Sequence, residues 1–161
     1  MLATSGPRLL AGLALAVTTL VLAVLPAAAS DAVTFTRRGA SYQDVRADLE
    51  AAIIGEGLKV DLVGDIAGML KRTGPDVGST VPVYKNAEFF AFCSAKLSRQ
   101  MMEPDPANMA QCPYVIFLYQ REATLNEVTV GYRKVSVSGR AAKALGEINA
   151  LLERIVRTAT K

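Results

Sequence analysis

Val33 and Phe35 alternate with Thr34 and Thr36, a period of two that predicts a short strand over 33–37, closed by Arg38 and Gly39. The period then lengthens. Ser41 is placed to cap a helix with Asp44 three residues on. From there Tyr42, Val45, Leu49, Ala52 and Ile53 fall on one helical face, with Gln43, Arg46, Asp48 and Glu50 on the other. Gly55 and Gly57 stop this helix. Leu58, Val60 and Leu62 alternate with Lys59 and Asp61 and predict a second strand over 58–62. Asp65 then caps a short helix whose apolar side is Ile66, Met69 and Leu70. Lys71 and Arg72 suit its C-terminal end, and Gly74-Pro75 terminates it.

Residues 74–82 carry two Gly and two Pro among small polar side chains and read as an irregular linker. A third strand is predicted over 87–93 and a helix over 94–102, after which Pro104 and Pro106 break the chain. Residues 114–119 are apolar throughout, the mark of a central strand or one covered on both faces. Residues 127–133 alternate again, and the short polar link 120–126 favours an antiparallel hairpin. Ala141, Leu145, Ile148, Leu152, Ile155 and Ala159 step by fours and threes with charged residues outside them, so the last helix should lie on one face of the sheet. The expected fold class is therefore α/β, with α+β character. It is a single two-layer domain with a mixed β-sheet of about five strands and helices packed on it.

Ahead of this domain, 9–25 is a run without a charge, preceded by Arg8 and followed by Pro26 and an Ala-x-Ala pattern. That succession predicts a secretory signal peptide over 1–29 and a single globular domain over 30–161, periplasmic or secreted. The competing reading is an uncleaved anchor, since the run just reaches the length of a membrane span. Thr18, Thr19 and Pro26 weaken it, and no Lys or Arg follows until Arg37. Contact with a membrane is expected only through that segment, if it is retained.

Composition narrows the function more than it names it. The chain of 161 residues has a formal net charge of +3 and no histidine. So modest a charge argues against a nucleic-acid partner, and the basic residues Arg133, Lys134, Arg140 and Lys143 read as a solvated face. Without imidazole, Ser-His-Asp and Cys-His catalysis, ordinary catalytic zinc and His-ligated haem are excluded together. Gly55-Glu56-Gly57 lacks the third glycine of a dinucleotide fingerprint and precedes a strand instead of following one, so it reads as a helix end. The expectation is a non-catalytic binding or accessory protein with a protein or small-molecule partner, without a cofactor.

Cys93 and Cys112 are the only thiols, and an even count in an exported chain makes a disulfide the default. Topology leaves the pairing open. A parallel crossover between the strands they flank would hold them apart, and an antiparallel return would bring them together. Met101, Met102 and Met109 lie between them, so a thiol-redox or Cu(I)-handling site built from Cys93, Cys112 and these three thioethers is the alternative function, with copper as its cofactor. Met101 follows Leu97 by four residues, which favours core packing for it.

Residues 41–49, Gly57-Leu58-Lys59-Val60, the strand into Cys93 and Gln111-Cys112-Pro113 before an apolar strand together form a familiar pattern. From about Val33 to about Val156 the chain resembles the domain-of-unknown-function 302 family. In that family one Cys follows the middle strand, usually before Asn-Pro, and a second precedes the next strand, usually after Leu-Pro. Cys93 and Cys112 match these positions, with Ser94-Ala95 and Ala110-Gln111 in place of the flanking pairs. The resemblance implies a compact α/β domain and no particular activity.

Overall fold

The computed structural model describes residues 31–161; the segment 1–29 read as a signal, and Ser30, lie outside the described residues. The chain runs β1 (Ala32–Arg38), α1 (Tyr42–Gly55), β2 (Leu62–Asp65), α2 (Ile66–Thr73), β3 (Tyr84–Phe92), α3 (Ala95–Met102), β4 (Tyr114–Arg121), β5 (Glu127–Arg133) and α4 (Ala142–Ala159). Single 3-10 turns occupy Pro75–Val77, Pro106–Gln111 and Gly139–Ala141. Side-chain caps fix the starts of the first three helices: Ser41 accepts from the Asp44 amide, Asp65 from Gly68 and Ser94 from Leu97.

The five strands form one sheet in the order β1-β5-β4-β3-β2. Helices pack on it as expected. The strand directions differ from the mixed pattern: all four neighbouring pairs are antiparallel. The deciding connection is the one from β3 to β4. Helix α3 and the turn Pro106–Gln111 carry the chain out and back, so that Phe92 at the end of β3 pairs with Tyr114 at the start of β4. A short excursion that returns to the end it left from produces an antiparallel neighbour.

The second strand also falls later than its alternation indicates. Leu58 and Val60 pack against the core from an extended lead-in, and the ladder with β3 covers Leu62–Asp65. Burial supplied the alternating pattern there, while hydrogen bonding to β3 begins only with the Asp61 amide donating to the Ala91 carbonyl at 2.9 Å.

The core lies between the sheet and α1, α3 and α4. Phe90, Phe92, Tyr114, Ile116, Leu118, Val128 and Val130 point into it from three strands, and Val45, Leu49, Ile53, Leu145, Ile148 and Leu152 meet them from α1 and α4. Two side-chain amides, half-buried Asn149 and buried Gln120, fasten neighbouring chain segments. Asn149 on α4 accepts from the Val135 amide and donates to its carbonyl, at 2.9 and 3.0 Å. Gln120 accepts from Asn86 and donates to the Leu125 carbonyl, holding the β4–β5 hairpin.

β4 is not covered on both faces. Tyr114, Ile116 and Leu118 lie under the helices, whereas Val115, Phe117 and Tyr119 face away from them and are half-buried. The apolar outer positions are sheltered by their own sheet. The Phe117 ring lies over Gly131, where an added Cβ would stand 2.6 Å from the ring and 2.7 Å from the Val33 carbonyl oxygen.

Candidate functional site

Where α1 begins, β3 begins and α2 passes β3, an open cleft of about 720 Å³ remains. Its floor is charged. Arg46, one turn into α1, donates through Nε to Glu88 Oε2 at 2.7 Å and through Nη1 to Glu50 at 3.2 Å. Tyr42 donates its hydroxyl to the same Glu88 oxygen at 3.2 Å. The guanidinium also sits 5.3 Å from the centroid of the fully buried Phe90 ring. One oxygen of Glu88 therefore takes both donors, and its Oε1 accepts nothing from the described residues.

The local electrostatics follow from this convergence. Burial, reinforced by the Glu88 charge and hydrogen bond, pushes the Tyr42 hydroxyl far above the usual tyrosine range. Burial works against the Arg46 charge, but the hydrogen bond and charge of Glu88, followed by Glu50, outweigh it and raise the guanidinium. Tyr42 thus serves as a permanent donor. Around this anchor the cleft is lined by Lys71 of α2 and Lys85 of β3, by Asp65 and Glu122, and by apolar surface from Leu70, Val81 and Val83. Neither lysine has a carboxylate partner among the described residues.

The tyrosines give a pH signature. Burial also raises Tyr114 and Tyr132, in each case as the leading cause. The folded chain then holds protons that the unfolded chain releases near the ordinary value of 10. The stability contributed is full below that pH and lost as pH climbs above it towards the folded values. The urea midpoint should fall steeply from about pH 10 upward, and Tyr42→Phe should make that fall shallower. A midpoint independent of pH between about 9 and 11 would contradict this account.

At the opposite end of β3, the antiparallel return resolves the alternative left open for the two thiols. The sulfurs of Cys93 and Cys112 lie at disulfide distance with their Cα atoms 6.2 Å apart. The pair is well separated from the cleft along the strand, since it follows Phe92 while the cleft is built from the other end at Tyr84–Glu88.

The model of the family described as "Domain of unknown function DUF302" matches residues 33–160. The chain belongs to the DUF302 family. The crystal structure of an uncharacterized conserved DUF302 protein from Bacillus stearothermophilus is similar, with a TM-score of 0.66, covering 81% of this chain and 99% of that one. Its sequence is 12% identical, so the likeness speaks for the fold alone. No curated protein matches the chain.

In this DUF302 domain the three methionines are scattered by environment. Met101 is fully buried in the core, Met102 packs against the core's edge and Met109 is 71% exposed. Of the five proposed ligands, Cys93 and Cys112 lie at disulfide distance from each other. Among the described residues no group of three or more Cys, Asp or Glu side chains is arranged to hold a metal ion. The residues that the sequence reading passed over are Tyr42, Arg46 and Glu88. Glu88 carried a signal, as the one carboxylate in the otherwise apolar strand predicted over 87–93.

Proposed function

We propose that this DUF302 chain is an exported, non-catalytic binding domain whose site is the cleft between α1, α2 and β3. The convergence of Tyr42 and Arg46 on one oxygen of Glu88 carries this reading. It fixes a carboxylate at the floor of a cleft whose volume lies in the range of small-molecule sites, with its second oxygen free to accept. A ligand suited to these walls is a small polar molecule. Its donor or cationic end meets Glu88, and its anionic end meets Lys71 or Lys85.

Amino acids are suitable zwitterionic probes. At a concentration 100 times the dissociation constant, a bound probe adds about 2.7 kcal/mol to stability. A screen by thermal melting should find probes that raise the midpoint of the wild type and leave Glu88→Gln unmoved. A probe that shifts both proteins equally, or a full set that shifts neither, would refute the cleft as the site.

Export is the other half of the proposal, supported by the succession of charge, apolar run and Ala-x-Ala in 1–29. Intact mass of the protein from an osmotic-shock fraction should correspond to a chain beginning at Ser30. Recovery of the full-length chain in membranes would instead make 1–29 an anchor. The nearness of Cys93 and Cys112 supports one further reading, thiol redox or Cu(I) handling; the burial of Met101 and the exposure of Met109 favour a staple over a metal set.

A further inference from the structure

We infer that the uncovered face of the sheet is an interface with a second copy of this chain. Among the described residues, α1, α3 and α4 roof one face of the sheet and leave the other without a helix. Across the other, the register aligns one row over all five strands, namely Thr34, Gly131, Phe117, Phe89 and Gly64. A neighbouring row adds Thr36, Thr129, Tyr119 and Ala87, and the row on the other side adds Ala32, Arg133, Val115, Ala91 and Leu62. Arg133 is the single charge in these three rows, and it stands at the margin. A sheet face meant for water alternates with polar and charged side chains; this one carries aromatic, aliphatic and small residues, with its polar side chains confined to Thr34 and Thr36 on β1 and Thr129 beside them on β5.

Its relief is low as well. The Phe89 ring lies over Gly64 and the Phe117 ring over Gly131, so the two central aromatics lean apart and lie down over β2 and β5. Phe117 and Tyr119 are nearly parallel, 11° apart, and Tyr84 packs on Tyr119 with ring centroids at 5.4 Å. The result is a broad, flat, uncharged surface.

Charge decides the occupant. A nucleic acid or an anionic surface would need cations at the centre of the face, where there are none. A second copy brings the same uncharged centre, so face-to-face packing buries no unpaired charge. The margin supplies both signs for a rim, through Arg133 and the Arg38–Glu127 pair at 2.7 Å. A two-fold axis lying between the sheets sets each Phe89–Phe117 pair against its equivalent, the self-complementary arrangement of an isologous dimer.

Size sets the strength. Five strands at a spacing of ~4.8 Å, about five residues deep at ~3.4 Å each, give a patch on the order of 400 Å² per copy. Two such patches fall below the ~1,200 Å² of a stable interface and belong with weak, reversible pairs. The dimer is therefore concentration-dependent, and it forms independently of what the cleft binds.

Sedimentation equilibrium of the purified protein from about 10 μM to about 1 mM tests this, because weak interfaces dissociate within that range. The apparent mass should rise from one chain towards two, and it should stay at one chain in Phe117→Lys and in Thr129→Lys while both keep a cooperative melt. Should Phe117→Lys fail to fold, Thr129→Lys decides alone, since it places its charge on the same face without removing a packed ring. A wild type that remains one chain throughout, or a dimer that survives Thr129→Lys, overturns the inference. Retention of a monomeric wild type on an immobilised neutral polysaccharide would overturn it too and assign the aromatic face to sugar stacking.

Discussion

Leu152→Asp is expected to destabilise the domain by about 5 kcal/mol, enough to leave it largely unfolded at room temperature. Leu152 is fully buried at the middle of α4. Truncating such a leucine alone costs roughly 2–5 kcal/mol through lost burial and the cavity left behind. The aspartate adds a charge with no partner in that environment, and its protonation relieves the penalty only in part. The surface of the same helix behaves differently. Arg154 lies two residues on and pairs with Glu56 at 3.1 Å, but its side chain is 57% exposed. Arg154→Ala should therefore cost under about 1 kcal/mol. Urea unfolding followed by far-UV circular dichroism separates the two. A Leu152→Asp protein that unfolds cooperatively within about 1 kcal/mol of wild type would mean that α4 does not close the core.

The helices were legible because their signal is redundant. The six predicted positions, Ala141 in the turn leading into α4 and Leu145, Ile148, Leu152, Ile155 and Ala159 in α4 itself, are all buried, and the stripe widens to include Ala144, Leu151 and Val156. Strand identity was less secure where apolar alternation had another cause. Leu58 and Val60 are partly buried against the core and Leu62 is exposed, yet the strand begins at Leu62, because a ladder needs a partner strand in register and side-chain burial does not supply one. Strand direction was legible only where a short link fixed it, in the antiparallel β4–β5 hairpin, and not between β3 and β4. The residues between Cys93 and Cys112 were compatible with a crossover or a return, and the choice depended on how α3 and the turn Pro106–Gln111 pack.

The cleft was illegible for a related reason. Tyr42 lies on the apolar face of α1 and Arg46 on its polar face, and each reads as ordinary for its position. Their role appears only when Glu88, 42 residues beyond Arg46, is brought to them on β3. No local motif records such a meeting. β4 shows the converse: its apolar run marked a central strand or one covered on both faces, and the structure gives the first, with β4 in the middle of the sheet and the Phe117 ring on its outer face lying over Gly131.

Replacing both cysteines, as Cys93→Ser with Cys112→Ser, is expected to lower stability by about 3 kcal/mol, the loop-closure value for roughly 20 residues. The two residues are 19 apart in sequence and 6.2 Å apart at Cα, inside the usual window for a bridge. The closed loop contains α3 and the turn Pro106–Gln111; α3 joins the core through buried Met101 with Leu97 and Met102 beside it, and Asn108 ties the turn to α3 by donating to the Met101 carbonyl at 2.8 Å. The turn Pro106–Gln111, which buries no side chain, should gain amide exchange before the rest of the sheet when the bridge is removed. Thiol titration of non-reduced, denatured protein should find no free cysteine, and the reduced protein should not take up Cu(I) against a competing chelator. Two free thiols together with tight one-to-one copper binding, lost in either single serine variant, would reverse the assignment. Cys93 and Cys112 would then be soft ligands, and the loss of stability on their replacement would follow the metal instead of the bond.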